Sequence, residues 1–396
     1  MPISPLPESD ARQLGATLAI TTPVVLVKEL LDNALDSGAT AVALFVSSNT
    51  VDRVELRDNG HGIHPSDFEA LGRSGCTSKL TSLDELRTVG THSLGFRGVA
   101  LASIKTLATV TVTTRTSGEA FAEVLRLMDG GGIRREGRKG NPVGTSVCVA
   151  ELFAKIPVRR RSAIKEAPKT ISSIKDLLQS YAFARHQTKI VFRVLEKPES
   201  TWCYIPKVGS SVREPASQLF GPDIASHCRL EAYSSRDNEA EERYQRNRTN
   251  PPISFEGLFP LAGVNPKKLL GAFFSVDSRP LSSSRGIGKK LLSIFRTHYS
   301  QSAPLVRLNR AAKPIFIQLN IVCPPGSYDV NVEPTKNDVL FADEELLIGH
   351  FKRFLSSIYC RNEDEAYSNR RGGIESPPPS SSAARKSNVS VHMSFP

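Results

Sequence analysis

The sequence has no paired cysteines, no long apolar run and no common phosphate-loop signature, and each absence removes a class of protein. Its six cysteines (Cys76, Cys148, Cys203, Cys228, Cys323 and Cys360) are scattered, with no C-x-x-C pair and no regular spacing. That pattern implies neither a zinc site nor a disulfide framework, and a reducing compartment suits it. No stretch approaches the ~20 apolar residues of a membrane span, so no membrane partner is expected. Met1 to Gln13 carries Pro5, Pro7, Glu8 and Asp10 where a secretory leader needs a basic start and an apolar run, which argues against export. No internal repeat is evident.

With 396 residues, 39% of them hydrophobic and 23% charged, the chain has the composition of a soluble globular protein with room for two sizeable cores. A formal charge of +11 favours polyanionic partners, nucleic acid or acidic lipid, and says nothing about fold. The pattern along the chain divides into an N-terminal arm at 1–13, a domain at 14–205, a second domain at 206–360 and a polar tail at 361–396. In the first domain Ala41–Ser47, Arg53–Arg57 and Ala108–Thr114 read as strands among helix-period segments, giving an α/β layer. Residues 233–252, highly charged and ending in a proline pair, read as an exposed insertion in the second domain. That domain resumes at Ile253–Val264, passes through a helix-like Ile287–Tyr299 and reaches a strand-like Pro314–Val322, so a second α/β unit is expected. The tail, with Gly372–Gly373 and SPPPSSS, reads as disordered.

Three constellations carry chemistry. In VLVKELLDNALDSGA, Val27, Leu30, Leu31, Ala34 and Leu35 form an apolar helix stripe, and Gly38 supplies the stop. Glu29 and Asn33 fall on the other side, one turn apart, so a carboxylate and an amide oxygen converge on one small target. Asn33 then suits a Mg2+ ligand and Glu29 a base that orients water; the alternative is a solvated polar face shared with Lys28, Asp32 and Asp36. After the strand VELR comes DNGHGI, where Asp58 as a pure acceptor suits the exocyclic amine of adenine and Gly62 allows close approach; the alternative is a plain Asn-Gly turn. Third, GCTSK at 75–79 is followed by Gly95-Phe96-Arg97-Gly98 and the helix-like VALASI. Glycines before a helix N-terminus favour phosphate, with Thr77, Ser78 and Lys79 adding hydroxyls and a charge; the alternative is a flexible loop. Neither piece matches the G-x-x-x-x-G-K-[ST] loop or the G-x-G-x-x-G fingerprint, which disfavours the common nucleotide folds.

Taken in order, these segments resemble the GHKL ATPases, and their wording resembles one branch, the MutL family. KELLDNALDSGA is similar to that family's first motif, DNGHGI to its second, TSKL with GFRGVALASI to its third and Gly144-Thr145-Ser146-Val147 to its fourth. LFAKIPVRR and, far downstream, DVNVEPTK resemble two further family segments. The resemblance implies a Bergerat-type α/β sandwich, a mixed sheet covered by helices on one face, followed by a domain like ribosomal protein S5. It implies ATP and Mg2+ as cofactors, Glu29 as general base, Asn33 as magnesium ligand, Asp58 as adenine reader and Gly98 as a phosphate contact. Thr145 would support Asp58 and the base, and Lys336 would reach the γ-phosphate from the second domain. The implied partners are DNA, another MutL homologue in a dimer and MutS-type proteins, with a nuclear location in a eukaryote and a cytoplasmic one otherwise.

Three departures from the family wording stand out: Ala16-Thr17-Leu18-Ala19 for Ala-Gly-Glu-Val, Val99 for the acid after GFRG, and Glu333 for the histidine before Pro334. They are reminiscent of divergent accessory members. From Lys267 to Lys313, ten Lys or Arg face one acid, Asp277, a footprint suited to duplex backbone binding. Lys267, Lys268, Arg279, Arg285, Lys289 and Lys290 are the candidate DNA contacts; a solvated face is the alternative, as it is for the smaller Lys155–Lys169 cluster. The expected function is a slow Mg-dependent ATPase that closes a dimer around DNA, with no nuclease site in this chain. The alternative is an ATP- and DNA-binding accessory scaffold with little or no hydrolysis.

Overall fold

A computed structural model describes residues 4–79, 85, 93–95, 97–129, 131–237, 252–261, 271–302, 316–333 and 337–359. The expected tail, most of the expected insertion, and Phe96, Lys267, Lys268 and Lys336 lie outside the described residues.

The chain opens with α1 (Glu8–Ala19), which runs across the 13/14 boundary drawn from the sequence. In α2 (Pro23–Asp36), Thr22 Oγ1 accepts the Val25 N–H at 3.3 Å and Pro23 takes the first helical position, where its missing N–H costs nothing. The helix stops before Gly38, whose φ of +75° suits the left-handed exit. Its apolar stripe, Val27, Leu30, Leu31, Ala34 and Leu35, is buried, and each larger side chain contributes roughly 1.5–3 kcal/mol.

That stripe faces an eight-stranded sheet with the order β5 (Ile133–Lys139), β4 (Ala122–Leu127), β3 (Thr109–Arg115), β6 (Gly144–Ala150), β2 (Arg53–Asp58), β1 (Ala41–Val46), β7 (Lys189–Val194), β8 (Lys197–Tyr204). All neighbours are antiparallel except β1 and β7, so the sheet is mixed. β1 and β3 bury every second residue more deeply, as sheets with one covered face do. The covering helices are α2, α3 (Ala100–Leu107) and, after α4 (Pro157–Lys165), the long α5 (Ala167–Ala184). Ile174, Leu178 and Tyr181 of α5 join the α2 stripe in one core.

The second sheet has five strands in the order β12 (Arg279–Leu281), β11 (Ala272–Val276), β13 (Ile317–Val322), β10 (Ser254–Pro260), β9 (Cys228–Ser234). It is antiparallel apart from β11 beside β13. β9 runs two residues into the segment expected as an insertion, because the Tyr233 ring packs against Phe255 at 5.7 Å and Phe354 at 5.6 Å. Short α6 (Arg213–Phe220) and α7 (Pro222–Ser226) precede it. α8 (Gly286–Ser302) and α9 (Glu344–Tyr359) cover the sheet with an aromatic core that includes Phe259, Phe295, Phe354 and Tyr359. Phe183 of α5 packs on Phe273 of β11 at 4.4 Å and on Phe316 at 5.9 Å, an apolar joint between the two layers. The ribbon β14 (Tyr328–Asp329) with β15 (Leu340–Phe341) brackets the loop that carries Asn331 and Glu333. Both units are α/β, as the sequence patterns require.

Candidate functional site

The polar side of α2 is not solvated. Lys28, Glu29 and Asp32 are 3%, 8% and 0% exposed, which overturns the solvated-face alternative for these three. The reason is α5: its Tyr181 donates its hydroxyl to Asp32 and accepts from Lys28 Nζ at 3.0 Å, while Lys28 reaches Asp32 at 3.2 Å. Burial and the Asp32 charge hold the Tyr181 phenol well above the usual tyrosine range, so it stays a donor. Glu29 lies in the same buried stretch of α2 as the two charges of this triad.

Glu29 and Asn33 both line a cavity of about 1010 Å3 at the edge of the sheet. Asp58 lies in the same cavity, at the end of β2, where β1 and β6 flank it. One of its oxygens, Oδ1, accepts the Gly60 N–H at 2.9 Å and the Thr145 N–H at 3.1 Å. Burial pushes the Asp58 carboxyl above the usual aspartate range, and these two backbone donors oppose that shift. Thr145 is fixed in turn by Thr114, hydroxyl to hydroxyl at 3.1 Å. Gly62 at φ +77° passes so close to β3 that a Cβ would lie 2.2 Å from the Arg115 carbonyl oxygen. Together these residues present a fixed acceptor beside open space that only glycine backbone can border.

The phosphate side is built by zipping two distant segments. Gly75 donates its N–H to the Gly98 carbonyl at 3.1 Å, and a Cβ on Gly98, at φ +64°, would stand 2.7 Å from the Cys76 carbonyl oxygen. Val99 then opens α3, so the helix N-terminus faces the cavity as expected. Thr77, Ser78, Gly95 and Arg97 line the same space. Lys79 reaches across it: Nζ donates to Asn33 Oδ1 at 2.9 Å and to Asp36 at 2.6 Å. The amide oxygen assigned to a metal therefore already points at a cation, which is the test that it fits one.

Two residues to which the sequence reading gave no part in the nucleotide site hold Ser93–Gly95. Asp36, one turn beyond Asn33, accepts the Ser93 hydroxyl at 2.8 Å, the Leu94 N–H at 2.8 Å and the Gly95 N–H at 2.9 Å, besides Lys79. Its spacing from Glu29 and Asn33, i, i+4 and i+7, is the signal that marks it. The second is Arg279, whose assignment to a DNA surface is corrected. It is fully buried and donates to the carbonyls of Leu94 at 3.1 Å and Ser93 at 2.7 Å. The cause is the hairpin: Asp277 and Ser278, at φ +47° and +64°, make a two-residue turn that pairs Arg279 with Val276 and aims it inward. Ser93–Gly95 is thus gripped by an acid from the first unit on its N–H side and an arginine from the second on its carbonyl side.

Other links join the same places. Arg97 donates to Asn331 Oδ1 at 2.8 and 3.1 Å and to the Glu333 carbonyl at 3.0 Å. Glu333, a departure from the family wording, accepts the Asn337 N–H at 2.9 Å and pairs with Arg285 at 2.9 Å. Of the candidate DNA contacts, Arg285, Lys289 and Lys290 are exposed on or beside α8, and Lys290 pairs with Glu344 at 2.5 Å. In the smaller basic cluster, Lys155 pairs with Asp129 and Arg160 with Asp52, while Arg161, Lys165 and Lys169 face solvent.

Comparison with known proteins agrees with this geometry. Residues 21–130 match the family described as histidine kinase-, DNA gyrase B- and HSP90-like ATPase. Residues 232–360 match the C-terminal domain of the DNA mismatch repair protein family. The chain is 29% identical over 357 residues to PMS1 protein homolog 1 of Homo sapiens, covering 89% of this chain and 36% of that one. It is 30% identical over 375 residues to the DNA mismatch repair protein MutL of Rhizobium meliloti (strain 1021), covering 94% and 56%. The chain therefore spans about a third to just over half of the length of these relatives. A crystal structure of the N-terminal domain of a DNA repair protein superposes with a TM-score of 0.67 at 25% identity, covering 89% of this chain and 99% of that one. With an ATPase family and a mismatch-repair family matched in this order, and relatives of that description aligned along most of its length, the chain belongs to the MutL family of DNA mismatch-repair proteins.

Proposed function

We propose that the chain is the ATPase part of a MutL-type mismatch-repair protein, which binds ATP with Mg2+, hydrolyses it slowly and uses the cycle to close a dimer around DNA. One observation carries this reading: Glu29, Asn33, Asp58 and the glycine-lined lid border a single cavity of nucleotide size. Asp58 accepts the adenine amine, and Gly62 lets the ring lie close. The lid glycines and the start of α3 offer N–H groups to the phosphates. Asn33 holds magnesium, which when bound neutralises charge across the phosphates. Glu29, half-way along a helix braced by the Lys28–Asp32–Tyr181 triad, orients the attacking water and takes its proton. Lys79 leaves Asn33 and Asp36 to meet a phosphate, and Lys336 is assigned to the terminal phosphate by the resemblance of DVNVEPTK to the family segment. The Ser93–Gly95 strap, held by Asp36 and Arg279, carries lid order from one unit to the other.

DNA, bound with little sequence preference, another MutL homologue and MutS-type proteins are the proposed partners, with a nuclear location in a eukaryote and a cytoplasmic one in a bacterium. No nuclease chemistry is assigned to these residues. Single-turnover hydrolysis with excess enzyme tests the reading: Mg-dependent turnover supports it, and tight ATP binding without turnover supports the accessory scaffold instead. Asn33→Ala is expected to lose magnesium-dependent nucleotide binding in calorimetry, and normal binding by that variant would overturn the metal assignment.

A further inference from the structure

Beside the nucleotide cavity lies a second one of about 860 Å3, enclosed by α1, α3, the Gly72–Ser74 loop and the turn after β4. It is open because its walls are small: Gly15, Ala16 and Ala19 of α1 face Ala102 of α3 across it. Lys105, in the last turn of α3, lines this space and is only 8% exposed. Its stem runs under Gly72, where a Cβ would lie 3.3 Å from Lys105 Cδ and where φ is +66°. Among the described residues the ammonium has no hydrogen-bond or ion-pair partner, and neither has the Ser103 hydroxyl in the same wall.

A lysine at a helix C-terminus suits the helix dipole, but one serving only that end extends into open solvent. Lys105 instead lies along the cavity wall with most of its surface covered. Burial and then the nearby Arg12 and Arg73 push its ammonium below the usual lysine range, with Asp129 opposing. The two acids in the lining do not neutralise the group: Asp129 is taken by Lys155 at 2.8 Å, and Glu69 sits loosely on Arg73 at 3.8 Å.

We propose that this cavity binds a small phosphoryl-bearing anion, with Lys105 at its floor and Arg12 and Arg73 at its rim. Anion binding gives a partner to a largely covered lysine that has none among the described residues, and charge-assisted hydrogen bonds are the strong ones. The anion is small because the space between α1, α3 and the turn after β4 is only about 860 Å3. It is not the ATP phosphate chain, which meets α3 at its N-terminal end, roughly 8 Å along the helix from Lys105 at ~1.5 Å per residue. Gly72, Arg73 and Val99 border both cavities, so an occupant here bears on the lid from behind.

The test is lysine acylation followed by mass spectrometry on the full chain, with inorganic pyrophosphate as the probe and saturating ADP present. Pyrophosphate is expected to slow acylation of Lys105, while Lys79 in the same digest reports separately on the nucleotide cavity. Lys105→Met, which keeps the apolar stem, is expected to weaken pyrophosphate binding by about tenfold. Unchanged Lys105 acylation, unchanged affinity in Lys105→Met, or protection by short duplex DNA but not by pyrophosphate would each overturn the proposal. If Lys105→Met does not fold, the acylation of the wild-type chain decides alone.

Discussion

α2 and α8 carry similar mixtures of apolar and charged residues, yet they meet opposite fates. In α2, Lys28, Glu29 and Asp32 are sealed between the sheet and α5, whereas Lys289 and Lys290 of α8 face water. Buried charges must be paired or aimed at a ligand; exposed ones need neither, and a surface pair such as Lys290–Glu344 is weak enough to give way to a polyanion. The same residue types therefore make a buried, paired cluster beside the candidate site in one unit and a candidate docking face in the other.

The sharpest break is in chemistry. Glu29→Ala is expected to keep ATP binding and to lose hydrolysis by ~10²-fold or more, measured by single-turnover assay, because the cavity persists while the base is gone. Equal loss of binding and turnover would make Glu29 structural. Next comes the neighbouring triad: Asp32→Ala leaves Lys28 buried without its counter-ion and is expected to cost about 3–5 kcal/mol in urea unfolding. A loss no larger than that of a surface substitution would mean that Lys28 escapes to water.

Arg279→Met probes the joint between the two regions. It leaves the Ser93 and Leu94 carbonyls without their donor, at a cost of roughly 1–3 kcal/mol, and hydrogen exchange at the Leu94 and Gly95 amides should quicken. Unaltered exchange would show that Asp36 holds the strap alone.

Asp58→Asn separates function from stability. ATP affinity is expected to fall about tenfold in calorimetry, as an amide donor meets the adenine amine. The unliganded protein should gain roughly 1 kcal/mol at neutral pH, since a strained functional charge is removed. The sign follows from burial: the folded-state carboxyl is raised, so the ionised form is the costly one above that range. The advantage of the amide fades as pH falls and wild-type Asp58 takes up its proton. An advantage that grew on acidification would contradict the raised carboxyl.

The smallest effect on stability belongs to α8. Reversing Lys289 and Lys290 to Glu should change stability by only ~0.5 kcal/mol. The log–log salt slope of DNA binding should fall by ~0.9 for each phosphate that is no longer neutralised, on matched and mismatched duplex alike. Unchanged affinity and slope would move the DNA face elsewhere, with Arg161, Lys165 and Lys169 as the next exposed group.

Local rules made much of this legible in the sequence. The α2 stripe, its stop at Gly38, the strands around DNGHGI and the helix start after Gly98 each follow from periodicity or glycine geometry within a few neighbouring residues. The order of the motifs along the chain was enough to point to the family. What the sequence left undecided depended on which distant segments meet. Whether α2's acids are solvated was decided by α5, about 150 residues away, and whether Arg279 faces DNA or the lid was decided by a two-residue hairpin turn. Nothing in its local sequence marks Lys105; only the packing of α1 over α3 covers most of its surface. Periodicity fixes the side of a helix on which a charge lies, but burial is set by what packs against that side, and a single sequence does not carry that contact in any local pattern.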